Sequence, residues 1–174
     1  MDRNQLAQEI YGTAHLTGTF TLRSGQVSGE YFDKYLFEAN PALLAKIAEL
    51  MEQDIPLETQ VLAGLEMGGI PIATALSLRT GLPAAFVRKE AKTYGTRKQA
   101  EGADVAGRRV CVIEDVVTTG GAIIDGAREL RAQGAVVDTV LCVIQRGQNA
   151  AEILAAHGLR LVPAFKMTPD MKLV

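Results

Sequence analysis

From residue 61 onward the chain alternates short apolar runs with helical stretches, and that alternation calls for a parallel sheet. Val61-Leu-Ala-Gly64, Pro83 to Val87, Arg109 to Glu114, Val136 to Ile144 and Leu159 to Phe165 each read as a strand. Between them Pro71 to Arg79, Gly120 to Gln133 and residues 149–157 read as helices, the first two stopped at Gly81 and Gly134. Strands with no polar alternation are covered on both faces, and strand–helix–strand crossovers make them parallel. Ligands are then expected at the carboxyl ends of the strands.

Ahead of this region, residues 4–12 read as a short amphipathic helix closed by Gly12. Gly18 to Gly25 and Ser28 to Tyr35 read as two strands joined by a turn. Pro41 opens a helix through Gln53, with Leu43, Leu44, Ile47, Leu50 and Met51 on one stripe. Residues 91–107 form a polar segment with no apolar period. With no repeats or linkers, residues 1–174 are expected to form a single domain.

Charge and cysteine usage exclude several classes. A net charge of −2 argues against a dedicated nucleic-acid binder. Cys111 and Cys142 lie inside apolar runs, as expected of small buried residues in a reducing compartment. With two His, no HExxH and no CxxC, a dedicated transition-metal site is not expected. No apolar stretch approaches the ~20 residues that span a bilayer, and the N-terminus carries no apolar leader, so a cytoplasmic protein without a membrane partner is expected. Locally the balance reverses: Arg88, Lys89, Lys92, Arg97 and Lys98 face a single acid, Glu90, across residues 88–98, which makes an anion-seeking segment.

The richest stretch is Val110-Cys-Val-Ile-Glu-Asp-Val-Val-Thr-Thr-Gly-Gly-Ala-Ile-Ile124. An apolar strand ends in two acids, a Thr-Thr-Gly-Gly loop follows, and a helix begins. Glycines let backbone N–H groups converge, and a helix N-terminus adds partial positive charge, so the loop suits a phosphate. Thr118 and Thr119 hydroxyls can add hydrogen bonds. Acids beside a phosphate make sense facing sugar hydroxyls, or a Mg²⁺ bridging hydroxyls and pyrophosphate. An ordinary capped strand–turn–helix junction explains the Thr and Gly but leaves Glu114 and Asp115 without a reason.

This stretch resembles the signature of type I phosphoribosyltransferases that binds phosphoribosyl pyrophosphate (PRPP). The resemblance implies an α/β fold with a central, mostly parallel sheet flanked by helices and a small N-terminal base-binding hood. It implies that Glu114 and Asp115 face the ribose hydroxyls and that Val116, Val117, Thr118, Thr119, Gly120, Gly121 and Ala122 form the rest of the PRPP loop. The hood would comprise approximately residues 1–40 plus the C-terminal segment, and the core approximately residues 41–147.

Three further segments resemble the orotate phosphoribosyltransferases within that family. Phe86 to Gly102 is similar to their catalytic loop: Arg88, Lys89, Lys92 and Tyr94 would contact PRPP, and Lys92 would be catalytic by stabilising departing pyrophosphate. Tyr94 stands where many bacterial members carry His. Phe20-Thr-Leu-Arg-Ser-Gly25 with Tyr31-Phe32 is similar to their base-binding hairpin, so Arg23, Tyr31, Phe32, Thr118 and Arg146 would meet orotate. Arg146 follows a strand, where a cation suits a carboxylated base. Gly64 to Ala73 is similar to the pyrophosphate loop, with Met67, Gly68 and Gly69 where many members have Tyr-Lys before the glycine. Pyrophosphate contacts would then come from backbone N–H groups.

The resemblance therefore implies transfer of ribose 5-phosphate from PRPP to orotate in UMP biosynthesis, with Mg²⁺ carried by PRPP rather than by protein side chains. It also implies a homodimer whose catalytic loop is shared across the interface. Two rivals stay open at this point. A purine-specific enzyme of the same fold leaves Arg146 and the Phe20 to Phe32 segment unexplained. A PRPP-sensing regulator calls for an appended DNA-binding region.

Overall fold

The computed structural model of the chain describes residues 2–22, 24–90 and 99–174. Helix α1 (Arg3–Ala14) is opened by a capping box between Asp2 and Gln5 and runs straight through Gly12, which the sequence reading took as its end. Burial of Leu6, Ile10 and Ala14 on one face carries it past the glycine. Strands β1 (His15–Thr21) and β2 (Val27–Phe32) pair antiparallel, with an irregularity between Thr17 and Phe20. A short helix α2 (Lys34–Glu38) follows, capped by Asp33, so Tyr35 is helical rather than extended. Asn40 caps α3 (Pro41–Met51).

The remaining elements are β3 (Val61–Leu65), α4 (Gly69–Thr80), β4 (Ala84–Val87), β5 (Ala100–Gly102), β6 (Arg109–Val117), α5 (Gly121–Ala132), β7 (Val136–Gln145), α6 (Ala150–Ala155) and β8 (Arg160–Lys166). Six strands make one sheet in the order β5-β4-β3-β6-β7-β8. All neighbours are parallel except β4 and β5. Strand β5 falls within the segment read as merely polar; at three residues it is too short to show a period. The sheet continues beyond residue 147, through β8.

Alternation along β6 sends Cys111 and Ile113 to one face and Val110 and Val112 to the other. The first face packs against Ile10, Phe37, Ile47, Met51, Ile72 and Leu76, the second against Ile123, Ala127, Leu130 and Leu154. Each such buried side chain contributes about 1.5–3 kcal/mol of transfer free energy. The N-terminal region is fastened to the far edge of the sheet. The Arg3 guanidinium donates to the Ala164 carbonyl at 2.5 Å and lies over the Phe165 ring. Beyond β8 the chain doubles back, and Lys166 and Val174 exchange backbone hydrogen bonds of 2.9 Å.

Candidate active site

Three loops meet at the carboxyl ends of β3, β6 and β7. Strand β6 carries Glu114 and Asp115, and Gly120, at φ +83°, turns the chain into α5. No side chain among the described residues caps α5, so its first N–H groups remain available to an anion. Thr118 and Thr119 are exposed beside them. The exit of β7 is sewn to this loop: the Arg146 and Gly147 N–H groups both donate to the Val117 carbonyl, at 2.8 and 3.1 Å.

The loop after β3 approaches from the other side. A Cβ on Gly68 would lie 1.5 Å from Asp115 Oδ2, and one on Gly69 would lie 2.3 Å from the Ile113 carbonyl oxygen. Only glycine lets this backbone press so closely on the acids. Met67 is exposed. Lys89 donates its N–H to Glu66 Oε2 at 2.9 Å, and Arg88 Nε stands 3.8 Å from Glu101 Oε1. Glu66, Ile70, Phe86 and Val87 line a cleft of about 290 Å³ with Arg88 and Glu101.

The electrostatics centre on Asp115, which is 0 % exposed. Its Oδ1 accepts the Val116 N–H at 2.5 Å, and its Oδ2 is 2.6 Å from Lys34 Nζ. Burial opposes its ionisation, but hydrogen bonding with Glu38, Glu114 and Lys34 prevails and holds its pKa below the usual range. Burial, reinforced by the Asp115 charge, pushes Glu114 up to about 8. Burial, and then its contact with Asp115, pushes Glu38 up to about 9. Burial alone would lower Lys34, yet Asp115 outweighs it and raises it. The cluster thus contains an ionised Asp115 and Lys34 flanked by carboxyls that keep protons at neutral pH. Glu114 Oε1 also accepts the Asp115 N–H at 3.0 Å.

Across the phosphate loop, a cavity of about 560 Å³ opens between the β1–β2 hairpin and Arg146. Phe20, Leu22, Ser24 and Tyr31 line it, and Phe20 stacks on Tyr31 at 5.5 Å. Phe32 is not part of it. Alternation along β2 turns Phe32 inward, where it is 8 % exposed and packs against Phe37. Val117 and, partly, Val116 are likewise core residues and offer the site only their backbone. Arg23, Lys92 and Tyr94 lie outside the described residues. The structure thus gathers Glu114, Asp115, Thr118 to Ala122, Gly68, Gly69, Tyr31 and Arg146. Sequence reasoning missed Lys34 and Glu38, although an isolated Lys four residues before a Glu, just after the aromatic pair, was a visible hint.

Comparison with known proteins agrees with this arrangement. The family model "Phosphoribosyl transferase domain" matches residues 36–157. An orotate phosphoribosyltransferase from a Nocardioides species is 58 % identical, over 92 % of this chain and 89 % of that protein. A crystal structure of Mycobacterium tuberculosis orotate phosphoribosyltransferase in complex with Fe(III) dicitrate superposes with a TM-score of 0.87 at 32 % identity, covering 96 % of this chain and 97 % of that one. The same enzyme in complex with PRPP superposes with a TM-score of 0.81 at 30 % identity, over 95 % and 96 % of the two chains. With the sequence matched over most of its length and the whole fold superposed on these structures, the chain belongs to the phosphoribosyltransferase family, among the orotate phosphoribosyltransferases.

Proposed function

We propose that the chain catalyses transfer of ribose 5-phosphate from PRPP to orotate, giving orotidine 5′-monophosphate and pyrophosphate. The observation that carries this reading is the cavity between Tyr31 and Arg146, whose backbone N–H is bonded to the Val117 carbonyl at the start of the phosphate loop. A flat, carboxylated base fits there, with its ring against the Phe20–Tyr31 stack and its carboxylate on the Arg146 guanidinium. The 5-phosphate would sit on the N–H groups of residues 119–122, and the ribose hydroxyls on Glu114 and Asp115. Pyrophosphate would meet the backbone of residues 67–69 with Arg88 and Lys89.

The bond that breaks joins C1′ of the ribose to the pyrophosphate oxygen, and the bond that forms joins C1′ to the orotate ring nitrogen. Deprotonated orotate is already a nucleophile, so the protein's part is to align the reactants and stabilise developing charge. Mg²⁺ carried by PRPP would offset charge on the leaving pyrophosphate. The hard oxygen donors at the end of β6 suit such a complex. By family resemblance, Lys92 would assist the same departure, from a loop shared across a homodimer.

The base assignment is tested at Arg146. Truncation in Arg146→Ala removes a charge-assisted pair worth about 1.5–3 kcal/mol, so KM for orotate should rise about 10- to 100-fold with KM for PRPP little changed. An unchanged orotate KM would remove the basis for the carboxylate assignment.

A further inference from the structure

We propose that Lys34 is a positioning residue that fixes Asp115 for the ribose of PRPP and ties the base-binding hood to the sugar site; this rests on the reaction proposed above. Lys34 belongs to the hood, three residues after Tyr31, whereas Asp115 belongs to the sheet. Their side chains meet at 2.6 Å in a setting where Asp115 has no exposed surface and Lys34 is one-third exposed.

The carboxylate has little freedom. One oxygen accepts the Val116 N–H, the other lies 2.6 Å from Lys34 Nζ, and the Gly68 backbone packs beside Oδ2. Lys34 is itself held by its helix. The Asp33 N–H donates to the Ala14 carbonyl at 2.8 Å, and Asp33 Oδ1 accepts the Tyr35 N–H at 3.1 Å, which pins the first turn of α2. One turn later Glu38 stands against the same aspartate, and its Oε1 lacks a hydrogen-bond partner among the described residues. Lys34 is therefore the cation paired with the ionised Asp115, beside two carboxyls that keep their protons.

Without Lys34, Asp115 would lose the contact that sets its rotamer, and a polyanionic substrate would approach an uncompensated, buried Asp115 carboxylate. Both effects weaken PRPP binding, and neither acts on orotate directly. A lysine that merely supported the fold would lower stability and leave the two substrates' KM values in their original ratio.

The test is steady-state kinetics of Lys34→Met and Lys34→Arg beside the parent, with melting temperatures. In Lys34→Met, KM for PRPP should rise about 10- to 100-fold, KM for orotate should stay within about threefold, and Lys34→Arg should recover most of the loss. In an Asp115→Asn background, Lys34→Met should add less than about threefold, because the lysine acts through that aspartate. A folded Lys34→Met with parental KM for PRPP, or with both KM values raised together, overturns the proposal. Should Lys34→Met not fold, Lys34→Gln is read in the same way. A parent that turns over no orotate would instead overturn the reaction assignment. The same comparison would then be made on the calorimetric Kd for Mg²⁺–PRPP.

Discussion

Gly147 offers a sharp test of how the phosphate loop is held. It follows Arg146 at the exit of β7, and a Cβ there would lie 1.7 Å from the Thr118 carbonyl oxygen, 2.7 Å from its carbon and 3.2 Å from its Cα. All three atoms are backbone, so no change of rotamer relieves the clash. To reach even 3.0 Å, two backbones joined through the Val117 carbonyl must part by about 1.3 Å. A displacement of about 1 Å in a positioning group can cost about 100-fold in rate. Gly147→Ala should therefore lower kcat/KM for PRPP about 100-fold. Overpacking strain of about 1–3 kcal/mol should also lower the melting temperature by roughly 2–12 °C for a chain of this size. Steady-state kinetics with PRPP varied at saturating orotate, together with a thermal melt, would read both effects. A variant with parental kinetics and melting temperature would refute the idea that this glycine sets the position of Thr118.

Three further outcomes follow from the same geometry. Glu38, pushed up to about 9, keeps a proton in the folded chain at pH values where an unfolded glutamate has lost it, so it makes stability fall as pH rises from about 5 to about 9. Glu38→Gln should flatten that fall, gaining on the parent by on the order of 1–2 kcal/mol across this window in paired unfolding curves; parallel curves would contradict it. Gly12 is exposed within α1 with nothing within 4 Å of its Cβ position, so Gly12→Ala should stabilise by about 0.5–1 kcal/mol at unchanged kcat, whereas a destabilised variant would count against a continuous helix. Lys92→Ala should lower kcat about 10²- to 10³-fold in rapid-quench assays if that lysine stabilises the departing pyrophosphate, and a parental kcat would exclude that role.

Much of this was legible in the sequence because the signals are local. Apolar runs between glycines located every strand of the sheet except β5, and the acids followed by Thr-Thr-Gly-Gly located the phosphate loop. What stayed hidden depends on contacts between distant segments. Lys34 and Asp115 are far apart in the chain, and only the packing of α2 on the sheet brings them together. Phe32 shared its aromatic character with Tyr31, and only the pairing of β2 with β1 shows which of the two faces the cavity. Gly147 gave no sign of its role, since the close approach is to the backbone of a loop distant in the chain.

Absorbance loss of orotate with PRPP and Mg²⁺, followed beside parallel assays with adenine and hypoxanthine, tests the reaction and the base together. Orotate should be consumed rapidly and only with PRPP, and neither purine should turn over. Turnover of a purine in place of orotate would contradict the base assignment, and PRPP binding without turnover of any base would contradict the reaction itself.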